Sequence, residues 1–149
     1  MKTIIIGIGN EFRSDDAIGI IAARKLKEKN LINAEVIEHN GDGASLMEIW
    51  KNCEQVILID AANINNCPGQ IHIIDAKADK IPKSSTIHSS HIFSVAEAIE
   101  TSRTMGTLPE RMVIYGIEGK NFKAGTKVSE EISIAVDKVV KKIVNVIDI

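Results

Sequence analysis

The strongest constraint on the fold is the alternation of short strand-like segments and helical patterns along the chain. Short segments rich in Ile and Val and bounded by Gly, Asn, Asp or Pro are typical of strands. Apolar residues that repeat at i+3 or i+4 predict helices, and this alternation favours a mostly parallel sheet with helices on both faces. The predicted strands are Thr3–Gly7, Ala34–Glu38, Val56–Asp60, Gln70–Ile74 and Arg111–Ile117, and the helical patterns run from Ile18 to Leu26, Leu46 to Trp50, Ile92 to Ile99 and Ile132 to Val146.

The link between the third and fourth predicted strands breaks the parallel pattern. Only the nine residues Ala61 to Gly69 join these strands, whereas a parallel crossover needs about a dozen or more. The fourth strand is therefore predicted to be antiparallel, and the stretch Ala76–Ser90 must return the chain to the carboxyl edge, the edge at which the parallel strands end. The sequence predicts an α/β fold, a three-layer αβα sandwich around a five-stranded, mostly parallel twisted sheet with one antiparallel strand.

Composition and charge exclude several classes of function. The 149 residues fit one domain over 1–149, and 44% apolar with 26% charged residues is ordinary globular usage. A net charge of -2 with interspersed signs offers no basic field for phosphates, so no nucleic-acid partner is expected. The first apolar run is too short for a signal peptide or a membrane span, so a cytoplasmic protein with no membrane partner is expected. Cys53 and Cys67 fit neither a CxxC pair nor a zinc framework and are interpreted as structural thiols.

The segment Gly7–Gly19 joins the first strand to the first helix, at the edge where open α/β sheets bind ligands. Its opening GxG is typical of dinucleotide-binding loops, but Phe12 replaces the third glycine and two acids would face the phosphates. Nucleotide binding is therefore disfavoured. Taken alone, Asp15 and Asp16 are better explained as a helix cap and a first-turn acid stabilised by the helix dipole.

Three residues are predicted to meet at the carboxyl edge. Asp60 ends a central apolar strand at the edge where Asp16 begins its helix, and His91 is expected to begin a later helix there. Two carboxylates and an imidazole could bind a divalent ion and leave positions open for water or substrate. The residues alone leave the question open, because Asp60 could instead cap the next loop and His91 could be an ordinary residue of a helix N-terminus.

Other side chains give weaker indications of a site. No Ser lies in a GxSxG pattern, and neither Cys neighbours a His as in a known thiol site. His88 is interpreted as a solvated loop residue, and His39 and His72 as structural residues. Asp42 lies in a turn that opens the second helix, and its position after a strand could let it line the cleft.

Over essentially its whole length the chain resembles the hydrogenase maturation endopeptidases. The most specific motif is GxGNxxxxDDxxG over Gly7–Gly19; the others are Asp60-Ala61, Ser90-His91, Tyr115-Gly116-Ile117-Glu118 and Val128-Ser129. The resemblance implies that Asp16, Asp60 and His91 are the metal-binding and catalytic residues. The family's Asp-Gly-Gly-Thr segment is replaced by Gly41-Asp42-Gly43-Ala44, so no role of Asp42 carries over.

The resemblance also implies a reaction and a partner. It indicates an aspartic-type or metal-dependent endopeptidase that removes the C-terminal extension of the nickel-iron hydrogenase large-subunit precursor after nickel insertion. Nickel presented by the precursor is the implied recognition signal, and the free protein, expected to be a monomer, would bind a divalent ion only weakly. The alternative is a noncatalytic nickel-sensing module that docks on the immature subunit through the same three residues.

Overall fold

The computed structural model describes residues 3–10, 12, 14–79, 94–120, 125 and 128–147. Within these ranges, strands and helices alternate in the predicted order, and a short 3-10 helix precedes the first α-helix. The elements are β1 (Thr3–Ile8), the 3-10 helix (Ser14–Ala17), α1 (Ile18–Glu28), β2 (Ala34–His39), α2 (Gly43–Trp50), β3 (Gln55–Ala62), β4 (Ile71–Asp75), α3 (Val95–Met105), β5 (Arg111–Glu118) and α4 (Glu130–Ile147).

The five strands form one sheet in the order β2-β1-β3-β5-β4. β1 is parallel to β2 and β3, β3 is parallel to β5, and β4 is antiparallel to β5. The predicted antiparallel strand is therefore confirmed, because the short link after β3 cannot hold a crossover helix and has to turn the chain back. β3 lies at the centre of the sheet and is buried from Val56 to Ala62, as expected for a strand covered on both faces.

Two cores lie on opposite faces of the sheet and confirm the predicted three layers. Successive side chains of a strand point to opposite faces, so Ile5 and Ile57 pack with α1 and α4, whereas Ile6 and Leu58 pack with α2 and α3. In the described part of the chain, no helix is both long and apolar enough to cross a membrane.

The start of α3 differs from the prediction. This helix begins at Val95, after the extended residue Ser94, whose hydroxyl accepts the Glu97 N–H while the Glu97 carboxylate accepts the Ser94 N–H. This capping box fixes the helix start, so the expectation that α3 begins at His91 is wrong. His88, His91 and the rest of the return path over residues 80–93 lie outside the described residues, and the predicted position of His91 at the carboxyl edge stays a prediction.

Candidate active site at the carboxyl edge

The glycines of the first motif let the chain after β1 pack backbone to backbone against the 3-10 helix and α1. A Cβ on Gly7 would lie 2.0 Å from the carbonyl oxygen of Gly19, and one on Gly9 would lie 2.1 Å from the carbonyl oxygen of Asp16. The same Asp16 carbonyl accepts the Asn10 N–H at 3.0 Å. These glycines therefore serve close backbone approach, which holds Asp16 beside the end of β1.

The two neighbouring acids of the motif have different surroundings, although both are buried. The Asp15 carboxylate accepts the backbone N–H of Lys120 at 2.8 Å and, from Ser129, both the backbone N–H and the hydroxyl at 3.1 Å. Asp15 thus ties the 3-10 helix to the chain that enters α4. Helix α1 begins after Ala17 without a side-chain cap from the described residues, so the expected cap of α1 by one of these acids is wrong, whereas both acids lie in the first turn of the 3-10 helix that precedes α1.

Asp16 and Asp60 are brought together, as predicted. β3 extends beyond the last paired residue of β1 and carries Asp60 to the carboxyl edge, and both side chains belong to residues that are only 8% exposed. Burial raises the pKa of Asp60 well above its usual range, and the nearby charge of Asp16 raises it further, against a hydrogen bond from the Ala61 N–H at 2.8 Å. The pair therefore favours either a shared proton or a bound cation.

The chemistry of this pair fits a divalent cation. Two carboxylates supply hard oxygen donors, and a bound cation relieves the repulsion between two buried negative charges. Among the residues that the structure describes, no group of three His, Cys, Asp or Glu side chains could hold a metal ion. The predicted nitrogen donor, His91, lies outside those residues. The structure thus supports the pairing of Asp16 with Asp60, and the three-residue metal site stays a prediction.

Asp60 also lines an apolar pocket between the sheet and α3, which we call the Asp60 pocket. Its walls include Leu58 of β3, Ile114 of β5 and the α3 residues Val95 and Ile99. Among the described residues that line it, the titratable side chains are those of Asp60 and His72. The carboxylate therefore meets an apolar surface on the side that faces α3, and water there is restricted.

A buried glutamate organises the loop that follows Asp60. Glu118, at the end of β5, is 0% exposed. Its carboxylate lies 2.8 Å from Nε2 of His72 and accepts three backbone N–H groups, those of Ile64 (2.8 Å), Asn65 (3.2 Å) and Cys67 (3.4 Å). Burial raises the pKa of Glu118, but these hydrogen bonds outweigh that effect and hold the pKa below its usual value. We call this arrangement the Glu118 clamp, and it fixes the chain between β3 and β4.

In the sequence, Glu118 is recognisable only as the last residue of the Tyr115-Gly116-Ile117-Glu118 motif, and the motif predicts no role for it. It ends an apolar strand at the carboxyl edge, as Asp60 does, and this was the available signal. His39 is structural, as predicted, because its Nδ1 accepts the Gly41 N–H and its Nε2 contacts the Ser45 hydroxyl, both at 2.9 Å. His72 has a structural contact with the Glu118 clamp but also lines the Asp60 pocket, which the sequence did not indicate.

Two further predicted residues lie near this edge. Asp42 precedes α2 as its N-cap residue, and within the described residues its side chain makes no capping hydrogen bond. It follows β2, two strands away from Asp60, and its role in the cleft stays a prediction. Neither cysteine forms a disulfide in the described structure: Cys53 is buried, whereas Cys67 is exposed on the loop that the Glu118 clamp holds.

Comparisons with known proteins agree on one family. The family model described as HycI, hydrogenase maturation protease, matches residues 20–146. A Methanocaldococcus jannaschii protein, provisionally named a hydrogenase maturation protease, is 28% identical over 99% of this chain and 89% of its own length. The hydrogenase 2 maturation protease of Escherichia coli is 24% identical over 78% of this chain and 73% of its own.

Solved structures share the fold. The hydrogenase maturating endopeptidase HybD from E. coli superposes with a TM-score of 0.77 at 18% identity, covering 96% of this chain and 90% of that one. The [NiFe] hydrogenase maturation protease HybD from Thermococcus kodakarensis gives 0.74 at 23% identity and covers 99% of both chains. Because the family model spans residues 20–146, the chain belongs to the hydrogenase maturation protease family and is a protease.

Proposed function

We propose that this endopeptidase removes the C-terminal extension of a nickel-iron hydrogenase large-subunit precursor after nickel insertion. The observation that carries the proposal is the buried pair Asp16 and Asp60 at the carboxyl edge. A protease of the same fold is named for [NiFe] hydrogenase maturation. We further propose that the protein acts as a monomer in the cytoplasm.

Peptide hydrolysis requires three things of a site. The attacking water has to be oriented, the developing oxyanion has to be stabilised, and the leaving nitrogen has to receive a proton. An ionised carboxylate of the pair accepts a hydrogen bond from water and so orients it, and the apolar wall of the Asp60 pocket keeps other water away. Nickel held by the precursor supplies positive charge beside the scissile carbonyl when it is bound.

Recognition of the metal follows from the small number of ligands. Asp16 and Asp60, with His91 as the proposed third ligand, leave open coordination positions that donors of the precursor can fill. The free protein then binds a borderline divalent ion weakly, and nickel already loaded into the precursor binds more tightly. Cleavage therefore occurs only after metal insertion, and removal of the C-terminal extension of the precursor releases the protease.

The test compares nickel-loaded and nickel-free precursor incubated with purified protein, with the mass of the large subunit as the measurement. We expect shortening of the nickel-loaded form alone. Asp16→Asn, Asp60→Asn and His91→Ala should each abolish it, whereas Asp137→Asn should not, because Asp137 is an exposed α4 residue paired with Lys25.

Each alternative outcome has a distinct meaning. Equal cleavage of both precursor forms would show that nickel is not the recognition signal. Activity in a variant that lacks Asp16, Asp60 and His91 together would refute the site. Binding of the precursor by the wild-type protein without any shortening would favour the noncatalytic docking module instead.

A further inference from the structure

His72 and Asp60 lie on the same face of the sheet with one glycine between them. The register pairs Asp60 of β3 with Gly116 of β5, and Gly116 with His72 of β4. Adjacent strands are about 4.8 Å apart, so the α-carbons of Asp60 and His72 are about 10 Å apart. Gly116 places no side chain in this gap, and both residues line the Asp60 pocket. A water molecule can therefore lie between the carboxylate and the imidazole.

The Glu118 clamp fixes the ring of His72 in one orientation. Nε2 lies 2.8 Å from the Glu118 carboxylate, whose lowered pKa keeps it ionised and therefore an acceptor. Nε2 must then carry the hydrogen, and in the neutral ring Nδ1 has the free lone pair. No described residue forms a hydrogen bond with Nδ1, and the side chain is 16% exposed.

His39 shows what a histidine with a purely structural role looks like in the same molecule. Both of its ring nitrogens are occupied, one by the Gly41 N–H and one by the Ser45 hydroxyl. His72 differs because one nitrogen is held by a buried carboxylate, the other forms no hydrogen bond with a described residue, and the residue lines the Asp60 pocket. A carboxylate that orients an imidazole in this way stabilises the imidazolium formed when the ring takes up a proton.

We propose that His72, held by Glu118, is a catalytic residue that transfers a proton from the attacking water to the nitrogen of the scissile peptide bond. The inference rests on the proposed function. The water oxygen bonds to the carbonyl carbon while one water proton passes to Nδ1 of His72. The carbon–nitrogen bond then breaks, its electron pair remains on the nitrogen, and the nitrogen takes the proton from Nδ1. The ring returns to its initial state, and the Asp16–Asp60 pair orients the water throughout.

The decisive variant is His72→Gln, because a glutamine amide still donates a hydrogen bond to Glu118 but has no basic nitrogen. With nickel-loaded precursor, kcat should fall by about 100-fold or more, while KM and the melting temperature stay close to wild type. The matched control is Ile73→Gln, the next residue on the same strand, which points to the opposite face and is 55% exposed. This control should cleave at the wild-type rate.

A second variant keeps the test independent of how well glutamine is accommodated. His72→Ala should be inactive and should regain cleavage when free imidazole is added, as expected if the ring acts as a proton carrier. Wild-type rates in His72→Gln, or loss of activity that parallels loss of folding and is not restored by imidazole, would overturn the inference. If the wild-type protein cuts the precursor and His72→Gln cuts it equally fast, the proposed function survives and only the role of His72 is refuted. A wild-type protein that cuts no precursor refutes both.

Discussion

Two kinds of buried carboxylate occur at the carboxyl edge of this sheet. Asp15 and Glu118 are each fully buried, and each accepts several N–H groups from distant parts of the chain. Asp16 and Asp60 are nearly as buried, but they lie near each other, and the pKa of Asp60 is raised by burial and by the charge of Asp16. All four residues are buried carboxylates, so their partners distinguish those that hold a loop in place from those of the proposed catalytic site.

The two kinds of carboxylate have opposite effects on how the stability of the fold depends on pH. The pKa of Glu118 is lowered on folding, so its contribution is present above the unfolded pKa and is lost as the pH falls through the folded value. The pKa of Asp60 is raised, so the folded state holds more protons than the unfolded state between the two pKa values. Stability therefore decreases as the pH rises through that window, and the cost remains at neutral pH.

Asp60→Asn should give the largest effect and the clearest separation of the two kinds. Cleavage of nickel-loaded precursor should fall by about 100- to 10,000-fold. The melting temperature at neutral pH should rise, because asparagine removes a buried charge next to Asp16 while its amide oxygen still accepts the Ala61 N–H. Mass spectrometry of the product and thermal unfolding measure the two effects. Unchanged cleavage, or a lower melting temperature, would contradict the proposed difference between Asp60 and the loop-holding carboxylates Asp15 and Glu118.

Gly9→Val tests whether close backbone packing positions Asp16 beside Asp60. The new Cβ would lie 2.1 Å from the Asp16 carbonyl oxygen, so the turn has to move and Asp16 moves with it. A displacement of about 1 Å at a catalytic group costs about 100-fold in rate, which is the loss we expect.

The control for this variant is Gly106→Ala at the end of α3. Gly106 has φ 71, and a Cβ added there would have no described atom within 4 Å. Alanine therefore costs about 1–2 kcal/mol of conformational strain and should leave cleavage by the folded protein intact. Wild-type cleavage by Gly9→Val would show that the close contact does not position Asp16.

The fold was predictable because the sequence patterns that indicate its strands and helices extend over only a few neighbouring residues. Ile- and Val-rich segments located the strands, and the short link after β3 identified the antiparallel strand without any homologue. The start of α3 was not predicted, although Ser94 and Glu97 form a capping-box pattern in the sequence. Helix starts are set by such local hydrogen bonds, and these are visible in sequence when they are looked for.

The site was predictable only where each residue lies at the end of a recognisable element. Asp60 ends an apolar strand and Asp16 begins a helix, so topology alone brings them to one edge. The Glu118 clamp could not be predicted in this way, because its donors are backbone N–H groups some fifty positions away in the sequence. A backbone N–H has no signature in the sequence, and neither does the orientation that the clamp imposes on His72.

Asp15→Asn should have a moderate effect, on stability rather than on catalysis. Asparagine loses the charge that accepts hydrogen bonds from Lys120 and Ser129, and hydrogen bonds of this kind contribute about 1–3 kcal/mol. The free energy of unfolding, measured in urea, should fall by that amount, whereas the rate per folded molecule stays near wild type. Asp16→Asn should instead lose cleavage activity while its free energy of unfolding does not fall. If Asp15→Asn and Asp16→Asn lower the same property, whether stability or cleavage rate, then the proposed distinction between loop-holding and catalytic carboxylates is wrong.

Glu38→Gln should have the smallest effect on stability, because Glu38 is a partly exposed carboxylate, unlike the buried carboxylates discussed above. Glu38 of β2 contacts Lys27 at 2.9 Å and Arg24 at 3.1 Å, and its side chain is 29% exposed. These partners, Lys27 first, hold the pKa of Glu38 below its usual value. Because water and salt screen such pairs, the free energy of unfolding should fall by about 1 kcal/mol or less.

This loss of stability in Glu38→Gln should depend on pH. It should be present above the unfolded pKa of 4.5 and disappear as the pH falls through the lowered folded pKa. The measurement is urea unfolding of the wild-type protein and of Glu38→Gln, at pH values above and below the two pKa values of Glu38 and at low and high salt. A loss as large as that of Asp15→Asn would mean that the number of partners, rather than their burial, sets what a carboxylate contributes.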